Sequence, residues 1–188
     1  MNDSKIKKLL YHKTPLKICS FLSVHPGQIF SAREISKQTK SSKGATNQTL
    51  RLLLELGVLS REQKGNLFLY RLNPDSFVLK QFKIFENLLN LKELIKEIQP
   101  YCSQIILFGS CAEGPNSQES DVDLFIKSEY KNRVRKLINQ YDAGDFKIRP
   151  VIQDSLEIIS SQKADKAFFE QVKKGIALWE GKPTYEKV

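Results

Sequence analysis

The sequence predicts an α+β protein of two parts, and three observations predict it. Three helix-like segments followed by two strand-like runs fill the first 75 residues; a long apolar stripe of helical period crosses 76–99; and the apolar strand-like runs QIILF and DVDLFI follow within 100–188. The expected organisation is an N-terminal unit over 1–75, a connecting helix or pair of helices over 76–99, and a second unit over 100–188. At 188 residues and 40% hydrophobic, the chain can fill one fair-sized core or two small ones.

Each element has a local reason. In TPLKICSFLSVHPG, Leu16, Ile18, Cys19, Phe21 and Leu22 lie at helical spacing and Pro26-Gly27 stops them, so a helix is expected over about 15–24. Ser31 precedes AREISKQTK with Glu34 at the third helical position, the pattern of a capping box, and this helix is expected to break near Ser41-Ser42. Ser42 then caps KGATNQTLRLLLEL, whose Leu50, Leu53 and Leu56 are helically spaced and which Gly57 ends. VLSREQ and LFLYRLN flank Lys64-Gly65-Asn66 and read as a hairpin.

Helix, helix, helix, hairpin is the order of a winged helix-turn-helix, and NQTLRLLLELGVLSREQKGNLFLYRL resembles the recognition helix and wing of that superfamily. The resemblance implies a DNA-binding domain whose helix after the turn enters the major groove. Ser42, Lys43, Asn47, Gln48 and Arg51 would face the groove, the amides suited to adenine and Lys43 and Arg51 to guanine or phosphate, with Arg61 and Lys64 of the wing on backbone phosphates. Charge agrees. Residues 1–90 hold 15 Lys and Arg against 6 Asp and Glu, a surplus of 15 − 6 = 9, whereas residues 91–188 hold 15 of each, so the whole net charge of +9 sits in the first half. A basic half joined to a neutral one suits double-stranded DNA binding beside another task, although a merely solvated basic face has the same composition.

From Ser76 to Gln99 the apolar positions Val78, Leu79, Phe82, Phe85, Leu88, Leu89, Leu91, Leu94, Ile95 and Ile98 form one helical stripe, as a single helix or as two joined near Asn90. The stripe exceeds what one small domain needs, so part of it could bury against a second copy in a homodimer, with intrachain core the alternative. Cys19, Cys102 and Cys111 lack metal-ligand spacing and read as reduced thiols; His12 and His25 have no ligand-spaced neighbours and read as packing or surface residues. No apolar run approaches the ~20 residues that cross a bilayer, and MNDSKIKKLL has no apolar signal core, so no membrane association and a cytoplasmic location are expected.

The chemistry concentrates in LFGSCAEGPNSQESDVDLFI, residues 107–126. QIILF (104–108) reads as a buried strand, Gly109-Ser110 as a turn into one helical turn, and DVDLFI (121–126) as a strand with Asp121 and Asp123 on one face and Val122, Leu124 and Ile126 toward the core. Two like charges so close repel. A divalent cation removes the repulsion, Mg²⁺ being suited to one or two carboxylates plus substrate phosphates, and backbone amides around Gly109 and Ser110 can take a phosphate.

Gly109-Ser110, ten intervening residues and Asp121-Val122-Asp123 resemble the signature of minimal nucleotidyltransferases of the DNA polymerase beta-like superfamily. The likeness extends from LKELIKEIQPYCSQIILFGS to FFEQVKKGIALWEG, about residues 88–181. It implies a small mixed sheet flanked by helices. It also implies a nucleoside triphosphate held at Gly109 and Ser110, Mg²⁺ (or Mn²⁺) on Asp121 and Asp123, and transfer of a nucleoside monophosphate with release of pyrophosphate. A third carboxylate usually stands on the next strand. Here DFKIRPVI (145–152) puts Arg149 at that place, Asp145 is about 13 Å from it along a strand, and Pro150 suits only an edge or a strand end. Arg149 is therefore a candidate catalytic residue. It also opens an alternative, a transcriptional regulator whose nucleotide-binding domain no longer turns over; an antitoxin-like transferase acting on a partner toxin as protein acceptor is a third.

Overall fold

Capping chemistry sets the element boundaries in the N-terminal half of the computed structural model, which describes residues 14–114, 121–142 and 147–184. Among them the α+β class is as expected. Helix α1 is Thr14–Ser23, a two-residue strand β1 is Phe30–Ser31, helix α2 is Ala32–Gln38 and helix α3 is Lys43–Glu55. Ser31 and Glu34 form the expected capping box: the Ser31 side chain accepts from the Glu34 N–H, and the Ser31 N–H donates to Glu34 Oε2 at 2.7 Å. The break after α2 comes earlier than expected, because Thr39 closes the last turn onto Ile35 and Lys40 turns left-handed at φ 50°. Ser42 caps α3 by accepting from the Ala45 N–H.

Strands β2 (Leu59–Lys64) and β3 (Leu67–Leu72) pair antiparallel from Leu59↔Leu72 to Lys64↔Leu67, joined by Gly65-Asn66. β1 adds to β3, giving the order β1-β3-β2. Ile18, Leu22, Ile35, Leu50, Val58 and Leu72 form the centre of this core. Leu56, expected on the same apolar face as Leu50 and Leu53, instead caps the helix end and is 56% exposed. His25 is a packing residue, its Nδ1 at 2.7 Å from the Phe21 carbonyl and its ring against Phe21 and Phe30; His12 lies outside the described residues.

Within 76–99 one helix, α4 (Phe77–Ile98), runs with no break at Asn90 and is followed by a 3-10 turn over Gln99–Tyr101. The chain divides into two compact units between Lys83 and Ile84, inside α4. Leu79 and Phe82 belong to the first core; Leu91, Leu94, Ile95 and Ile98 belong to the second.

The second unit contains β4 (Gln104–Phe108), α5 (Ser110–Glu113), β5 (Val122–Lys127), α6 (Lys131–Gln140), β6 (Ile148–Gln153), α7 (Ser155–Ala164), α8 (Lys166–Lys173) and β7 (Ile176–Glu180). Its sheet is mixed and ordered β6-β5-β4-β7, with β4 antiparallel to both neighbours and β5 parallel to β6. Pro150 lies in β6, the edge strand, where its missing N–H is harmless. Ile105, Leu107, Val122, Leu124 and Ile126 bury one sheet face together with α4 and with Val134 and Ile138 of α6. Gly175 lets the chain after α8 lie directly on β4: a Cβ there would stand 2.5 Å from the Leu107 carbonyl oxygen. The face carrying Asp123 is not simply a solvated one. Phe125 on that face is buried with Ile106, Phe108, Phe169 and Val172 in a second, smaller cluster, because α8 covers it. The cysteines Cys19, Cys102 and Cys111 are free thiols and buried.

Candidate functional site

At the end of β4 the chain must turn within one residue, and Gly109 does so at φ 70°, ψ −157°, a conformation open essentially to glycine. A side chain is excluded there for a second reason. A Cβ on Gly109 would stand 2.7 Å from Asp123 Oδ2, so the bare backbone of the turn lies against that carboxylate. The β4–β5 register accounts for this approach, with Phe108 directly opposite Asp123. Ser110 then opens α5, a single turn closed by Ala112 and Glu113 N–H groups donating to the Gly109 carbonyl.

The turn is fixed from behind. The buried Asn87 of α4 donates from Nδ2 to the Cys111 carbonyl at 2.9 Å, and the Cys111 thiol donates to the Asp121 carbonyl at 3.4 Å. Neither residue stands out as functional in sequence. The available signal was Asn87 itself, an amide inside an apolar helical stripe.

Asp121 immediately precedes β5 and Asp123 is its second residue, so both side chains leave the same sheet face about 6.6 Å apart along the strand. The parallel register places Arg149 of β6 beside Asp123, and its Nη2 forms an ion pair with Asp121 Oδ2 at 2.5 Å. The structure thus brings Gly109, Asp121, Asp123 and Arg149 together, with Ser110 following the turn. Burial pushes the Asp123 carboxyl above the usual aspartate range; Arg149 opposes that shift and Asp121 adds to it. The aromatic cluster on this face, in which the Phe108 and Phe125 rings lie 5.6 and 6.1 Å from Phe168, supplies the apolar surroundings.

Two carboxylates on one strand fit a single hard cation such as Mg²⁺, which takes one or two protein carboxylates and completes its shell from water and phosphate. Among the described residues no group of three or more His, Cys, Asp and Glu side chains could hold a metal ion. Asp145 lies outside them.

In the first unit, Ser42 caps α3, and Lys43, Asn47 and Arg51 follow each other at four-residue steps on its exposed side. Asn47, Gln48 and Arg51 also line an open surface hollow of about 470 Å³ with Gly44, Leu52 and Glu55. The two wing residues expected on phosphates, Arg61 and Lys64, are not brought together. Arg61 lies with its guanidinium 4.3 Å from the Phe68 ring centre, while Lys64, three residues on along β2, has the opposite strand parity.

A family model described as "Polymerase beta, Nucleotidyltransferase" matches residues 90–184, half of the chain. The chain belongs to this nucleotidyltransferase family. Its members generally use a nucleoside triphosphate and a divalent metal, and the matched residues contain Gly109, Ser110, Asp121, Asp123 and Arg149. No curated protein matches the chain. Among solved structures, human N-acetylserotonin methyltransferase is similar at 16% identity and a TM-score of 0.30, covering 50% of this chain and 31% of its own. The archaeal chromatin protein TrmBL2 is similar at 14% identity and a TM-score of 0.29, covering 89% of this chain and 77% of its own. Likeness at these TM-scores decides neither fold nor function. No helix among the described residues is long and apolar enough to cross a membrane.

Proposed function

We propose that the protein is a DNA-binding nucleotidyltransferase: its second unit moves a nucleoside monophosphate from a nucleoside triphosphate to an acceptor hydroxyl, and its first unit binds duplex DNA as a winged helix-turn-helix. The observation that carries the transferase reading is the contact between the bare backbone of Gly109 and the Asp123 carboxylate, with Asp121 on the same face. Ser110 and the backbone at Gly109 hold the triphosphate tail. Asp121 and Asp123 would hold Mg²⁺ or Mn²⁺, which when bound supplies charge neutralisation for the phosphates. The acceptor oxygen forms a bond to the α-phosphorus, the bond to the bridging oxygen breaks, and pyrophosphate leaves with that electron pair while the acceptor proton passes to water. Phe108, directly opposite Asp123 and packed on Phe168, limits the water around the site.

For the first unit, the support is the exposed side of α3. Lys43, Asn47, Gln48 and Arg51 offer amide and cationic groups suited to base edges and phosphates, in the half of the chain that carries the whole charge surplus. The matching test is incubation of the protein with each α-labelled nucleoside triphosphate, Mg²⁺ and cell extract. A labelled acceptor and released pyrophosphate are expected from wild type and not from Asp121→Asn/Asp123→Asn. Absence of label with all four nucleotides overturns transfer and leaves the second reading, a nucleotide-sensing regulator, which the position of Arg149 beside Asp123 favours.

A further inference from the structure

We infer that Arg149 is a built-in counter-ion of the nucleotide site, so that the second unit takes a nucleoside triphosphate with at most one divalent cation and keeps it when that cation is removed. The inference rests on the nucleotide-binding part of the proposed function and concerns how this site differs from one built on acids alone.

The placement of Arg149 is set by backbone pairing. Three consecutive register pairs, Val122↔Ile148, Asp123↔Arg149 and Leu124↔Pro150, fix β6 against β5, so the guanidinium stem rises beside Asp123 whatever rotamer it adopts. Its head pairs with Asp121. Two carboxylates and one guanidinium leave the cluster a single net negative charge. A third carboxylate in place of Arg149 would leave three, a difference of two charges at the one position. A cluster of one net negative charge is neutralised by one divalent cation with positive charge to spare for phosphate, and a second cation would meet the fixed charge of Arg149.

The same side chain is available to a ligand. Arg149 is 60% exposed at its side chain while Asp121 is only 19% exposed, so the guanidinium lies on the solvent side of the pair. A guanidinium carries five N–H donors, and the ion pair to Asp121 commits only part of that fork. The remaining donors can meet a phosphate in the two-pronged geometry that guanidinium groups favour. Asp121 then acts as the positioning residue for Arg149, holding the fork on the face that carries Asp123.

The test is ATP and GTP binding to the full chain by calorimetry, with Mg²⁺ and again with EDTA, alongside Mn²⁺ counting by electron paramagnetic resonance. Wild type should lose less than about tenfold in affinity in EDTA and bind one Mn²⁺ in the presence of nucleotide. Arg149→Asp should lose nearly all binding in EDTA and take up a second Mn²⁺. Arg149→Lys, which keeps the charge but not the fork, should fall between them. Arg149→Asp sets a third carboxylate beside Asp121 and Asp123 and should melt below wild type, so an unchanged circular dichroism spectrum at the binding temperature is the control that separates lost binding from lost folding. The inference is overturned if EDTA abolishes wild-type binding, or if Arg149→Ala binds metal-free nucleotide as tightly as wild type. Absence of binding even with Mg²⁺ overturns the nucleotide reading itself, and this inference with it.

Discussion

Asp123 is the residue where stability and the proposed function pull apart. Its carboxyl is held above the usual aspartate range chiefly by burial, with Arg149 opposing and Asp121 reinforcing the shift. Between the ordinary aspartate value of about 3.9 and the raised folded value, the folded state keeps a proton that the unfolded chain has lost, so stability falls as pH rises through that window and stays lowered above it. Asp123→Asn removes this contribution. Its melting temperature should exceed that of wild type at neutral pH, the difference should vanish below the ordinary aspartate range, and metal-nucleotide binding should be lost; thermal melts across pH check the sign. Gly109→Ala attacks the same place from the other strand. With φ at 70° and a Cβ 2.7 Å from Asp123 Oδ2, it should cost roughly 1–3 kcal/mol and weaken nucleotide binding, readable from denaturant melts and calorimetry. That Gly109 turns beside Asp121 and Asp123 on one face was legible in the sequence because a two-residue strand period and a glycine turn are local patterns. That Asn87 holds the turn from a helix 24 positions earlier was not, since the contact exists only after α4 packs on the sheet.

Elements that carry their own start and stop signals were legible, and those defined by partners were not. Ser31 and Ser42 announced α2 and α3, and QIILF matched β4 residue for residue. β1 has two residues and exists only as a partner of β3, too short for any periodic signal. α7 buries none of its residues, with Leu156 79% and Ile159 61% exposed, so apolar spacing could not reveal it; Asp154 and Glu157 form a capping box at its start. For α3, Ser42→Ala should cost about 1 kcal/mol of unfolding free energy by removing the acceptor for the Ala45 N–H. The DNA reading belongs to this element too. Lys43→Ala with Arg51→Ala should weaken duplex DNA binding and lower the slope of log affinity against log salt by about 2, one for each lost phosphate contact. Gel shifts over a salt series decide this, and a slope unchanged in the double variant would remove α3 from the interface.

For the whole molecule, the long helix raises a question that sequence could pose but not answer: which residues each half needs in order to fold. An apolar stripe over 76–99 reads equally well as a linker, a dimer surface or core, because periodicity reports that a face is buried and not by what. Leu79 and Phe82 pack into the first core, whereas Leu91, Leu94, Ile95 and Ile98 are buried in the second. Removing α4 from the second unit therefore strips four buried side chains, at about 1.5–3 kcal/mol each, or roughly 6–12 kcal/mol together. Such a loss rivals the entire stability of an ordinary domain, about 5–15 kcal/mol. A fragment of residues 84–188 is expected to melt cooperatively and to bind nucleotide with Mg²⁺, while residues 100–188 alone are expected to lack a folded baseline. Residues 1–75 should likewise melt below residues 1–84, by the burial of Leu79 at 4% exposure and the partial burial of Phe82. Circular dichroism melts of the four fragments, with calorimetry of residues 84–188 against nucleotide and Mg²⁺, check these outcomes, and a cooperative transition in residues 100–188 would show that the sheet can close its core without α4.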